Sequence, residues 1–189
     1  MSLKAKLVTS ISAFALVLAL LIVGVFAVNQ ATINMGGSIS FQATDVHAKV
    51  EITVAGTSES TQPSKTYLFT YNSEEQGNGA EVVTGNSATW DSNSWTFGEG
   101  REIVVTVKIT NLDANREIDV TFVAPEDQTE GKALGANLTC VSTGEDSATI
   151  VKSGTATYTM TFTITDENQS INNANWDATL TLAEGGVGA

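Results

Sequence analysis

The chain has 189 residues, with 9 Lys and Arg against 21 Asp and Glu, a formal net charge of −12. One Cys (Cys140) and one His (His47) exclude an intramolecular disulfide and a structural zinc site, which takes four such ligands. The acidity argues against binding a nucleic-acid backbone, where affinity rests on Lys and Arg. Charged residues at 16% against 42% apolar exclude a charge-rich disordered polymer.

The charge divides the chain. Met1 to Lys6 is short and basic, Leu7 to Val28 runs 22 residues without a charge, and the first acid is Asp45. Val25-Phe26-Ala27 fits the small-residue rule for signal-peptidase cleavage, so residues 1–27 read as a signal peptide and the cut falls between Ala27 and Val28. The apolar run exceeds the usual ~7–15 residues of a signal peptide, and ~20 can span a bilayer. A retained anchor is therefore the rival reading. In either case the body is exported, signal peptidase is its partner in transit, and it meets a membrane only through the leader. Residues 28–189 suit a single domain.

The body alternates with a period of two, the mark of strands with one buried and one wet face. In the first such run, 33–43, Ile33, Met35, Gly37, Ile39, Phe41 and Ala43 share a face opposite Asn34, Gly36, Ser38, Ser40 and Gln42. Next, Ala48, Val50, Ile52 and Val54 oppose His47, Lys49, Glu51 and Thr53, and Tyr67, Phe69 and Tyr71 form another set. Ile103, Val105, Val107 and Ile109 follow, then Ile118, Val120 and Phe122. Tyr158, Met160, Phe162 and Ile164 oppose a file of Thr from Thr155 to Thr165, and Trp176, Ala178, Leu180 and Leu182 close the series. Helical spacing is absent after Val28.

Turn residues separate these runs. Asn111-Leu112-Asp113-Ala114-Asn115 predicts a hairpin of 101–110 with 116–124, and 125–136 reads as a long loop. Roughly nine short strands without crossover helices predict an all-β fold, an antiparallel two-sheet sandwich or jelly roll behind an apolar signal helix.

Chemistry-bearing patterns are few. A hydrolytic triad needs a base beside its nucleophile, and His47 falls on the polar face of its strand. Cys140 follows Leu138 at strand spacing and reads as a small core residue. Asn111, Asp113, Asn115 and Glu117 place oxygen-bearing side chains at alternate positions that could line a calcium ion. An Asx-rich turn explains them as well. No other cofactor is implied. Asn137-Leu138-Thr139 and Asn168-Gln169-Ser170 match the glycosylation sequon. The Thr file would suit a crystalline surface such as ice only if adjacent strands carried Thr in register; exposed Thr is also simply a good strand former. Trp90, Trp95 and Phe97 either form an exposed glycan platform or plug one end of the core.

The head ending Val23-Gly24-Val25-Phe26-Ala27, the segment Asn34-Met35-Gly36-Gly37-Ser38-Ile39-Ser40-Phe41, Val105-Thr106-Val107-Lys108-Ile109-Thr110-Asn111, and Ser153-Gly154-Thr155-Ala156-Thr157-Tyr158-Thr159-Met160-Thr161-Phe162 together resemble the TasA/camelysin family of secreted bacterial proteins. That resemblance implies a jelly roll and a subunit of extracellular matrix or surface fibres. Some camelysin-like members are classed as metallopeptidases, but no zinc-peptidase pattern is present here.

The leading expectation is a non-enzymatic, self-assembling surface or biofilm-matrix fibre subunit. The alternative is a monomeric secreted jelly roll of adhesin type, binding glycan or host protein. Assembly would use the uncharged run from Val28 to Thr44. As a strand at a free chain end it can complete a neighbour's sheet, with Ile33, Met35, Ile39 and Phe41 filling alternate pockets and Gly36-Gly37 as the flexible point. The competing reading makes 33–43 the first strand of its own sheet.

Overall fold

A computed structural model describes residues 34–56, 64–71, 77–84, 86–92, 102–125, 138–144, 146–164 and 172–185. The leader, the Ala27/Val28 cleavage point, Ile33, Trp95, Phe97, Asn137 and the sequon at Asn168 lie outside the described residues.

Among the described residues the fold is all-β, with strands β1 (Asn34–Thr44), β2 (Ala48–Ala55), β3 (Lys65–Phe69), β4 (Glu81–Val83), β5 (Ser87–Ser92), β6 (Glu102–Asn111), β7 (Ile118–Val123), β8 (Leu138–Thr143), β9 (Ser147–Ile150), β10 (Thr155–Ile164) and β11 (Asn172–Glu184). β-Branched and aromatic residues dominate the inward positions, as a pleated half-buried surface favours. Two sheets result. Sheet A runs β5-β1-β11-β7-β9 and sheet B runs β4-β3-β2-β6-β10-β8.

Alternation fixes which face is buried. Val105, Val107, Ile109, Tyr158, Met160, Phe162 and Ile164 point inward from sheet B, and Ile39, Phe41, Val120, Phe122, Trp176 and Leu180 from sheet A, all buried in one core. Full burial of such a side chain contributes about 1.5–3 kcal/mol.

Two expectations are corrected. The sheets are mixed rather than antiparallel, because β1 runs parallel to β11 and β3 parallel to β4. Parallel neighbours need a long connection, and β1 and β11 have nearly the whole described body between them. The hairpin across Asn111–Asn115 does not form either. β6 pairs with β2 and β10 in sheet B, whereas β7 pairs with β11 and β9 in sheet A. From β4 onward every successive strand lies in the other sheet, so residues 112–117 arch over one end of the core.

Candidate functional site

The candidate assembly strand, β1, lies inside its own sheet. It pairs in parallel with β11 from Asn34↔Asn172 to Thr44↔Ala183, with a register shift between Asn34 and Met35, and antiparallel with β5 from Gly37↔Ser92 to Gln42↔Ser87. Ile39 and Phe41 are fully buried. The Phe41 ring lies 5.5 Å from Tyr67 and 6.1 Å from Phe69. Met35 falls within the strand, opposite Ala174. On the outer face the Ser38 hydroxyl donates to Asp177 Oδ1 at 2.7 Å.

The groove that receives β1 is lined with aromatics. Trp90 on β5 and Trp176 on β11 have ring centroids 6.3 Å apart, and Phe162 lies 5.0 Å from Trp176. Gly37 packs directly on Trp176: a methyl group at its Cα would overlap the indole. Gly36 and Gly37 therefore belong to the paired strand. The chain breaks instead at Asp45, which has φ 51°, and only residues 45–47 link β1 to β2 in the other sheet. A glycine at an inward position of an alternating strand was the sequence signal for this close approach.

The oxygen-rich turn is locked by its own side chains. Asn111 is 1% exposed, and its Nδ2 donates to the carbonyls of Arg116 (2.8 Å), Ile150 and Val151 (both 3.3 Å). Its Oδ1 accepts the Asp113 N–H at 2.9 Å. Asp113 Oδ1 in turn accepts the N–H of Asn115 at 2.7 Å and of Arg116 at 3.1 Å. The Asn115 N–H, then that of Arg116, holds the Asp113 carboxyl below the ordinary carboxylate value, with a further contribution from the Tyr71 hydroxyl. Asn115 is exposed and Glu117 half-buried. The four candidate calcium ligands thus spend two of their oxygens on backbone amides. Among the described residues no group of three or more His, Cys, Asp or Glu side chains is placed to hold a metal ion.

The remaining candidates are dispersed. His47 stands edge-on to the exposed Tyr71 ring at 5.8 Å. Cys140 is buried, and Trp90, 2% exposed, belongs to the core rather than to a surface platform. Two open clefts, of about 150 and 410 Å³, lie beside Tyr71 and Leu68 respectively, and neither is lined by His or Cys. Pattern reading missed the clamp where β3 meets β4. There Lys65 Nζ lies 2.8 Å from Glu81 and 4.7 Å over the Tyr67 ring, while the Tyr67 hydroxyl donates to Thr89 O at 2.9 Å. That last bond ties sheet B to β5 of sheet A.

Comparison with protein-family models gave no match, and comparison with curated proteins gave none. Among solved structures, the major envelope protein VP24 of white spot syndrome virus aligns over 76% of this chain and 95% of its own, at 12% identity and a TM-score of 0.26.

Proposed function

We propose that this chain is an exported, non-enzymatic structural subunit, related to TasA/camelysin proteins, that forms a surface or matrix fibre by exchanging β1 between copies. On this reading the leader is removed near Ala27, the sandwich is a jelly-roll variant, and the protein works in the extracellular matrix.

The observation that carries it is the seat of β1. The strand is joined to its body only through residues 45–47, while both of its partners, β5 and β11, are distant in sequence. Main-chain hydrogen bonds and alternate pockets do not distinguish a chain's own strand from a copy's. The arm is uncharged through Thr44, so it enters an acidic neighbour without repulsion. Each copy that gives a strand and accepts one makes a head-to-tail contact, which propagates as an open fibre when its rotation does not close.

The test uses the register pair Ser40↔Thr179, on the outer face. Two preparations, Ser40→Cys and Thr179→Cys, are mixed, allowed to assemble and oxidised. Exchange gives disulfide-linked heterodimers and filaments by negative-stain microscopy. If neither filaments nor heterodimers form, while the double variant closes its bond within one chain, β1 belongs permanently to its own subunit and the reading fails.

A further inference from the structure

Thr residues face outward from neighbouring strands of sheet B in common register. Thr53, Thr106, Thr159 and Thr143 make one row across β2, β6, β10 and β8. The adjacent row is Ala55, Val104, Thr161 and Val141, and Val141 is 61% exposed. Neither row contains a charge. Among the described residues, the charges nearest to them on this face are two Lys and two Glu, at 49, 108, 51 and 102, which cancel; Glu51 lies 3.2 Å from Lys49 and 3.8 Å from Lys108. Sheet A differs. Among the described residues its outward positions carry Asp91, Asp119 and Asp177 and no Lys or Arg.

We propose that the outer face of sheet B, centred on Thr159 and Val141, is where a second copy of this chain packs sheet to sheet, joining fibres side by side. The proposal rests on the fibre reading and adds a lateral contact to it. Charge selects the face. Stacked sheets lie ~10 Å apart, close to the ~8 Å screening length of physiological salt. Two A faces would therefore set three carboxylates against three on a strongly acidic chain, whereas the described charges of two B faces sum to zero. β-Branched Thr and Val present short, stiff side chains suited to the aligned packing of sheet on sheet.

Area sets the strength. Four strands ~4.8 Å apart and about seven residues long at ~3.4 Å per residue give a face on the order of 450 Å². A stable interface buries about 800 Å² per partner. Single copies should stay apart in dilute solution, and only the repeated contacts along a fibre should hold, as linked binding sites do.

Electron microscopy of fibres formed by wild type, Val141→Glu and Thr159→Glu tests this, with Thr121→Glu on sheet A as control. The expected result is bundles from wild type and the control but single filaments from the two sheet B variants, with unchanged circular-dichroism melts. Thr159 lies on an inner strand, so its effect cannot come from blocking the β8 edge. If either folded sheet B variant bundles like wild type, the proposal is overturned. If wild type forms no filaments, the fibre reading fails separately, and concentrated Thr157→Cys and Thr121→Cys proteins decide. Faster intermolecular cross-linking at 157 supports the B-face contact, and equal or slower cross-linking overturns it.

Discussion

Gly37 and Trp176 face one another in parallel register across β1 and β11, and the indole occupies the space a Gly37 side chain would take. Ile39 and Phe41 seat the same strand in fully buried sites. The glycine is thus a condition for closing the sandwich over Trp176 and Trp90.

Gly37→Val should accordingly destabilise the protein by about 1–3 kcal/mol, the usual effect of overpacking a filled core, measured by urea denaturation. It should also impair assembly at a fixed fraction folded, since the same strand is the one exchanged. A neutral outcome in both measurements would mean that the β1–β11 register is wrong at this position.

Asn111 holds three carbonyls and one amide at the arch between β6 and β7. Asn111→Ala removes the partner of several enclosed groups, at about 1–3 kcal/mol for each left unsatisfied. Asn111→Asp is the sharper probe. A carboxylate there would face three carbonyl oxygens with no proton to donate, so Asp should be worse than Ala at neutral pH and recover part of the loss in acid. Equal melting temperatures for Ala and Asp across pH would contradict the network.

Much of the buried face was legible because it is local information. Val105, Val107, Ile109, Tyr158, Met160 and Phe162 alternate within their own strands, and each is buried. Partner choice is not local. Asn111 to Asn115 carries the residues of a hairpin turn, yet Asn111 turns inward to the Ile150 and Val151 carbonyls, some forty residues away, and the chain crosses to the other sheet. The parallel β1–β11 pair depends on both ends of the body at once, which no window of sequence contains. The Thr file on β10 was visible, whereas its register with Thr106, Thr143 and Thr53 needed the sheet.

The pH dependence of stability should carry a signature of Asp113. Its carboxyl titrates below the ordinary value of 3.8, chiefly because the Asn115 N–H stabilises the anion. A depressed folded-state value adds stability above the unfolded value, and that stability is lost as pH falls through the folded one. Asp113→Asn should therefore melt below wild type at neutral pH, and the gap should narrow as pH drops below about 4. Added calcium or a chelator should shift neither melt, because Asn111 Oδ1 and Asp113 Oδ1 already accept backbone amides. A calcium-dependent rise in the wild-type melt that Asp113→Asn abolishes would favour the ion-binding reading of this turn instead.

The last prediction separates a strand that merely belongs to the sheet from one that can be supplied from outside. Removing everything before Asp45 deletes Ile39, Phe41 and Ala43 from the core and parts β5 from β11. Loss of the two large side chains alone forfeits about 1.5–3 kcal/mol each, a large share of the ~5–15 kcal/mol that holds a domain together. The truncated protein should be poorly folded, with an open aromatic groove around Trp90 and Trp176. A synthetic peptide of residues 33–44 should bind that groove, restore the cooperative melt and bury the two indoles, read as a blue shift in tryptophan fluorescence. A Gly37→Val peptide should bind more weakly, because its side chain overlaps the Trp176 ring. A peptide with the same composition and scrambled alternation should do nothing, since a one-residue slip turns every pocket-filling side chain to the wet face. Should the truncated protein melt cooperatively without peptide and ignore it when added, β1 would be dispensable to the fold and strand exchange would lose its physical basis.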